Sequence, residues 1–226
     1  MGTISKEQLA RMIDHSLLNP SLTADDIKRG CQDAINCGFA AVVVNPAHVP
    51  IIVKALKDTS VKACSVVSFP FGLSATDAKV YEARTVLAQG AQEIDMVMNF
   101  SALRSGHADV VLNDIKSVVN EAKQYSRPVV VKVILENCYL SEMEKRQACL
   151  ITREAGADYV KTSTGFGKGG ATIEDVRLMR EIVGPKFGVK AAGGIRNLEQ
   201  ALSMIEAGAN RIGTSASLSI LEGVGR

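Results

Sequence analysis

Short runs rich in valine, isoleucine and alanine alternate along this chain with longer stretches whose apolar positions recur at helical spacing. The short runs predict strands near 12–16, 40–45, 62–68, 93–99, 128–135, 158–163, 187–192 and 210–214. The longer stretches predict helices near 23–37, 47–57, 74–89, 107–124, 141–155, 172–183 and 197–207, with a short one at 215–222. The N-terminal stretch MGTISKEQLARMIDHSLL is polar and helix-like. Ser141-Glu142-Met143-Glu144 reads as a capping box, and Thr23, Ser74, Thr172 and Asn197 read as N-caps.

An internal echo orders these elements. "AINCGFAAVVV", "LAQGAQEIDMV", "TREAGADYVKT" and "IEAGANRIGTS" repeat one pattern: the end of an apolar helix, a glycine, a short link and a strand. The glycines are Gly38, Gly90, Gly156 and Gly208, at spacings of 52, 66 and 52 residues. A glycine there suits the left-handed position that ends a helix. A spacing of 52 holds two strand–helix units, so these glycines precede strands two, four, six and eight. Eight parallel strands with helical crossovers in 226 residues predict a (β/α)8 TIM barrel, an α/β fold. An open doubly wound sheet is the alternative. No Pro- or Ser-rich linker divides the chain, which predicts one domain over 1–226 with a short N-terminal helix.

Composition narrows the class. Hydrophobic residues make up 46% and charged residues 22%, ordinary values for a globular core that needs neither disulfide nor metal. A net charge of +2 gives no case for nucleic acid or an anionic membrane as partner. Cys31, Cys37, Cys64, Cys138 and Cys149 form no CxxC pair and read as reduced cysteines of a cytoplasmic protein. His15, His48 and His107 lack metal-ligand spacing, so no metal site is expected. No run has the length of a membrane span, and the N-terminus has no secretory core. Gly2 invites a myristoylation reading, but Lys6 stands where that motif wants Ser or Thr.

The chemistry is suggested by charges in the wrong place. Lys161 ends an otherwise apolar strand, Lys190 does the same one unit later, and Asp95 and Lys132 interrupt strands four and five. Side chains alternate along a strand, so each of these can point into a barrel while its neighbours face helices. Any one alone also reads as a strand-end charge that reaches water; four on successive strands would share one small space. A free lysine amine has a pKa of about 10.4, so at pH 7 roughly one in a few thousand is neutral. Burial and a neighbouring cation can lower that value and make Lys161 a nucleophile, with Lys190 as the second cation. Asp95 is placed to move protons, directly or through water.

Glycine-rich segments lie beside this group. Gly193-Gly194 closes strand seven, and Gly213-Thr214-Ser215 closes strand eight before the short helix. Barrels often bind phosphate there, and Arg196 adds charge nearby. Gly165-Phe166-Gly167-Lys168-Gly169-Gly170 follows strand six; it is a mobile lid or a connection that needs flexible backbone, with anion contact favoured at Thr164 and Gly165 and Lys168 left open.

These motifs resemble the deoxyribose-phosphate aldolase family of class I aldolases nearly end to end. "IDHSLL", "VVVNP", "EIDMVMN", "VKVILE", "YVKTSTGF", "VKAAGGIR" and "IGTSAS" occur in family order. The resemblance implies a Schiff base at Lys161, a pKa-tuning role for Lys190 and a proton shuttle at Asp95. It implies that Asp14 lines the same pocket, where the strand pattern also places Lys132, and that Gly165, Gly193, Gly194 and Ser215 meet the phosphate. It implies cleavage of 2-deoxyribose 5-phosphate to glyceraldehyde 3-phosphate and acetaldehyde in deoxynucleoside breakdown. No cofactor is expected, because a protonated imine serves as the electron sink. A homodimer or larger homo-oligomer is implied as well. Two departures stand out: Val43 or Val44 occupies a place where many relatives carry an aldehyde-sensitive cysteine, and the chain ends at Gly225-Arg226 without the terminal tyrosine of some relatives. The rival readings are another phosphate-binding barrel enzyme, such as a different Schiff-base aldolase or a transaldolase-like transferase, and a non-catalytic sugar-phosphate-binding barrel.

Overall fold

The computed structural model describes residues 4–224; Gly2 and the Gly225-Arg226 end lie outside the described residues. Eight strands form a closed barrel in chain order: β1 (Ile13–Leu17), β2 (Ala41–Val44), β3 (Lys62–Val67), β4 (Glu93–Val97), β5 (Val130–Ile134), β6 (Tyr159–Lys161), β7 (Gly188–Ala192) and β8 (Arg211–Thr214). Every neighbouring pair is parallel, and β8 pairs with β1 to shut the sheet. This is the (β/α)8 architecture, and the open sheet is excluded. The helices are α1 (Lys6–Ala10), α2 (Ala24–Cys37), α3 (Val49–Ala55), α4 (Thr76–Ala88), α5 (Phe100–Arg104), α6 (Ala108–Ala122), α7 (Glu142–Glu154), α8 (Ile173–Val183), α9 (Leu198–Glu206) and α10 (Ser217–Glu222).

The period of two in the strands sorts their side chains into two compartments. Val42, Val44, Ala63, Val67, Ile94, Met96, Val131, Val133, Val160, Val189, Ala191 and Ile212 belong to the core between sheet and helices. The helices meet them with stripes at three-to-four spacing, such as Ile27, Cys31 and Ala34 on α2. The alternate residues form a second, smaller cluster of Leu18, Ala41, Val43, Cys64 and Val66. It lies on β2, β3 and the end of β1, so one side of the barrel interior is apolar. The corresponding positions of β4 to β8 and of β1 are largely charged.

The helix signals hold at most ends. The side chains of Thr23, Ser141, Thr172 and Asn197 each accept the backbone N–H three residues on, and Ser141 with Glu144 forms a complete capping box. Gly38, Gly90, Gly156 and Gly208 all have positive φ, as the echo requires. Ser74 is a correction. The cap position of α4 is Ala75, with no side-chain bond, and the Ser74 hydroxyl instead accepts that of Ser68 at 3.0 Å. The sequence pattern also passes over α5, a single short stretch capped by Asn99, whose side chain accepts Ala102 N–H at 2.9 Å. Its five residues are too few to show a helical period.

One buried ion pair fastens this shell to the barrel. Lys79 on α4 reaches Asp114 on α6 at 2.5 Å and donates to the Val97 carbonyl at the end of β4, at 3.0 Å. Both side chains are out of water, at 0% and 3% exposure, so neither tolerates loss of the other. Asp114→Ala is expected to lower stability by about 3–5 kcal/mol, while Lys79→Met with Asp114→Ala should cost far less. Urea unfolding of the three proteins checks this; equal costs would show that the pair is not coupled.

Candidate active site

Seven charged side chains meet inside the barrel. Arg211, Glu93 and Tyr159 each begin a strand and form the floor. Asp14, Asp95, Lys132 and Lys190 lie above them, and Lys161 ends β6 at the top. Asp95 is the hub. Its Oδ2 accepts Lys161 Nζ at 2.7 Å and Lys190 Nζ at 2.7 Å, and its Oδ1 accepts Lys132 Nζ at 2.9 Å. Lys190 also donates to Asp14 Oδ2 at 2.5 Å. Arg211 donates to Asp14 Oδ1 at 2.8 Å and approaches Glu93 Oε1 at 3.5 Å. Glu93 Oε2 stands 2.5 Å from Lys132 Nζ as an ion-pair contact, but off the hydrogen-bonding direction. The Cys64 thiol fills the remaining side, 3.4 Å from Asp95 Oδ1 and 3.6 Å from Lys132 Nζ.

Local sequence builds this geometry. The β6–β7 register sets Lys161 opposite Lys190, and the next residue locks that register. The Thr162 hydroxyl donates to the Ala192 carbonyl at 2.9 Å and accepts Ala192 N–H at 3.0 Å. Gly213 faces Asp14 across β8 and β1, and a Cβ there would stand 2.9 Å from Lys190 Cε. Its lack of a side chain is what lets Lys190 cross to Asp14. Gly188 makes the same kind of room below, where a Cβ would lie 2.2 Å from the Tyr159 ring.

The electrostatics separate the lysines. Burial favours the neutral form of all three. For Lys161, burial and the Lys190 ammonium together outweigh the pull of Asp95, and the amine is held below the ordinary lysine range. For Lys190, burial is outweighed by Asp14 and Asp95, and it is raised. For Lys132, burial is outweighed by Asp95, Glu93 and Asp14, and it stands well above the ordinary range. Burial opposes the charged form of Asp95 too, but Lys132, Lys161 and Lys190 hold it well below the usual carboxylate range. Asp14 is likewise lowered, by Lys190, Lys132 and Arg211 against burial. Burial and Asp95 push the Cys64 thiol far up, so it is no nucleophile.

Above Lys161 opens a cavity of about 700 Å³ at the C-terminal ends of the strands. Lys161, Thr164, Gly165, Phe166, Gly193, Gly194, Arg196, Gly213 and Ser215 all line it, together with Ser16 and Leu17 at the end of β1 and Leu18, Asn19, Pro20 and Leu22 in the loop that follows. Its lining carries Lys161 and Arg196 and no carboxylate. Asp14 and Lys132, expected in the pocket wall, are corrections. Both are fully buried and absent from the lining, because the salt bridges draw them down behind Lys190. Asp95 and Lys190 lie behind Lys161 in the same way. Lys168 turns away, its Nζ 5.4 Å from the centre of the Tyr139 ring.

The loop after β6 is a packed connection. Ala171 N–H donates to the Gly193 carbonyl at 3.0 Å, and a Cβ on Gly170 would lie 2.3 Å from that oxygen. Glu136, just past β5 with φ of 54°, accepts the Thr164 hydroxyl and its N–H, the latter at 3.3 Å. Burial raises the Glu136 carboxyl, against those hydrogen bonds. The strand pattern singles out neither Glu136, Glu93 nor Arg211. Glu93 and Arg211 keep the period of two with Asp95 and Gly213, the one signal that turns them inward. Among the described residues no three His, Cys, Asp or Glu are grouped to hold a metal ion.

The profile of the "DeoC/LacD family aldolase" matches residues 9–223. The chain belongs to this aldolase family. A deoxyribose-phosphate aldolase of Caldanaerobacter subterraneus subsp. tengcongensis is 56% identical over 214 residues, covering 95% of this chain and 92% of the relative. One from Thermococcus gammatolerans is 56% identical over 217 residues, covering 95% and 96%. A solved structure described as a unique tetrameric deoxyribose phosphate aldolase from Aeropyrum pernix superposes with a TM-score of 0.90 at 37% identity, covering 96% of this chain and 91% of that one. Family membership gives the lysine cluster a chemical context: an aldolase whose site gathers three amines around buried carboxylates.

The buried aspartates make stability depend on acid. A carboxyl group lowered by folding contributes stability above its unfolded pKa of about 3.9 and loses it as pH falls through the folded value. Urea midpoints are expected to drop below about pH 5, and Asp14→Asn should flatten that slope. Identical slopes in the two proteins would show that Asp14 is not lowered.

Proposed function

We propose that this protein is a class I aldolase that reversibly cleaves 2-deoxyribose 5-phosphate to glyceraldehyde 3-phosphate and acetaldehyde. The observation that carries the reading is the position of Lys161. It is the one amine shared by the buried charge cluster and the carboxylate-free cavity. The relatives named above as deoxyribose-phosphate aldolases supply the substrate.

The steps follow from the geometry. The neutral Lys161 Nζ attacks the aldehyde carbon of the open-chain sugar, and the carbinolamine loses water to give a protonated imine. The imine draws the electron pair of the C2–C3 bond while the C3 hydroxyl gives up its proton, and glyceraldehyde 3-phosphate leaves. The enamine of acetaldehyde remains on Lys161. Protonation at its terminal carbon restores an imine, and water releases acetaldehyde and the amine. Asp95, 2.7 Å from the amine, moves these protons with a water. Lys190 stays charged beside Asp95 and helps keep Lys161 neutral. Thr164, Gly165, Gly193, Gly194, Gly213 and Ser215 are assigned to the phosphate side, with Arg196 as the cation beside them. Asp14 and Lys132 act from below as counter-charges. Val43 belongs to the apolar side of the interior, so resistance to unsaturated aldehydes goes with this assignment.

One barrel domain carries the whole reaction in this reading. A cytoplasmic homo-oligomer is proposed as well, since the Aeropyrum pernix relative is described as tetrameric. Among the described residues no helix is long and apolar enough to cross a membrane.

Borohydride reduction in the presence of acetaldehyde, followed by peptide mass mapping, is expected to place an ethyl group on Lys161. Lys161→Ala should abolish turnover, and Asp95→Asn should lower it by at least about a hundredfold, in the range of lost acid–base catalysis. Substantial turnover in purified Lys161→Ala protein, or an adduct on Lys190 instead, would overturn these roles.

A further inference from the structure

The buried cluster holds an unequal number of charges. Its bases are Lys132, Lys161, Lys190 and Arg211, and its acids are Asp14, Glu93 and Asp95. With every group ionised, four cations face three anions in a space largely shut off from water, where only Arg211 reaches 13% side-chain exposure. An excess charge in such a place is costly, and the cheapest relief is loss of one proton. Arg211 cannot lose one. Lys132 touches Glu93 and Asp95, and Lys190 touches Asp14 and Asp95. Lys161 has Asp95 alone, and shares the accepting oxygen with Lys190.

We propose that Arg211 and Glu93, on the barrel floor and away from the substrate cavity, are positioning residues whose charges decide that Lys161 is the amine left free to attack. This rests on the Schiff-base reading and deepens it. Arg211 occupies Asp14 at 2.8 Å and leans on Glu93 at 3.5 Å, so neither acid is left to claim the lysines alone. It is the cluster member nearest water, with 13% of its side chain exposed, and its guanidinium lies 5.7 Å from the Tyr159 ring centre. Removing Arg211 equalises the counts at three cations and three anions, and Lys161 then keeps its proton. Removing the charge of Glu93 does the opposite.

The other groups around Lys161 are accounted for. Asp95 on β4 pulls its proton on, Lys190 on β7 pushes it off, and Cys64 on β3 stays a thiol. Lys132 on β5 and Asp14 on β1 are paired within the cluster. Glu136, beyond β5, is engaged by Thr164 and is raised by burial toward its neutral form. Tyr159 is two residues below Lys161 on β6 and faces Arg211. Burial opposes the Arg211 charge, but Asp14 and Glu93 outweigh it and fix that charge in place.

The test is the pH dependence of Lys161 ethylation by acetaldehyde and cyanoborohydride, followed on the Lys161 peptide in full-length protein. Arg211→Met is expected to move the midpoint up by about one pH unit or more, a roughly tenfold fall in the ratio of neutral to protonated amine at any given pH. Arg211→Lys, which keeps the charge, should restore the original midpoint. Glu93→Gln should move it down. A purely structural role for Arg211 would lower the extent of labelling at every pH and leave the midpoint where it was. An unchanged or lowered midpoint in Arg211→Met overturns the inference while the Schiff-base reading stands. If Arg211→Met fails to fold, Glu93→Gln decides: a downward shift supports the inference, and no shift or an upward one overturns it. No adduct at Lys161 in the unaltered protein sinks both.

Discussion

The inside of this barrel is largely shut off from water, and seven charged side chains are there nonetheless. Moving an ion from water into protein costs several kcal/mol even after relaxation, so each charge must be matched at hydrogen-bonding distance. The register of the strands, the missing side chains at Gly188 and Gly213, and the Thr162 bridge to Ala192 all serve that matching. A shift of one residue in any strand from β4 to β8 would turn its charge into the helix layer and leave partners bare. The charge cluster therefore helps to specify the barrel's register alongside the apolar shell. It does so at a cost in stability that the large outer core has to offset.

The asymmetry of the interior follows from the same constraint. Ala41, Val43, Cys64 and Val66 give β2 and β3 an apolar inner face, and the charged groups gather on the opposite side around Asp95. An apolar wall lowers the local dielectric response and strengthens every charge interaction beside it. The wall also leaves the lysines no partners but the three carboxylates. Lys161, last on the shortest strand, has the fewest of these and the nearest approach to the cavity.

Much of this was legible in the residues themselves. Lys132, Lys161, Lys190 and Asp95 break apolar strands in mid-run, and such a break has few physical explanations. The echo around Gly38, Gly90, Gly156 and Gly208 counted the strands before any was seen. Glu93 and Arg211 were harder to read, because a charge at the start of a strand ordinarily reaches water. Only their parity with Asp95 and Gly213 points inward, and parity is a weak signal when strand starts are uncertain by a residue. Glu136 lies past its strand in a left-handed conformation, where period no longer predicts direction. The resemblance puts Asp14 in the pocket and the strand pattern turns Lys132 inward, but neither gives the depth of a residue. Depth comes from the pairing with Lys190 and Glu93, which only the closed barrel reveals.

Depth also explains how one site can hold three carboxylates and still take a phosphate ester. Unmatched, Asp14, Glu93 and Asp95 would repel an anion arriving above them. Paired with Arg211, Lys132 and Lys190, they contribute little field at the cavity, whose own wall offers Arg196 and the glycine-rich turns after β7 and β8. Binding charge and reacting amine are thereby placed on different residues. If Lys161 had to attract the phosphate it would have to be protonated, and a protonated lysine cannot attack a carbonyl. In the proposed assignment the anion goes to Arg196 and the loop amides, which frees Lys161 from that conflict. The neutral amine that catalysis requires is also the state the buried cluster favours.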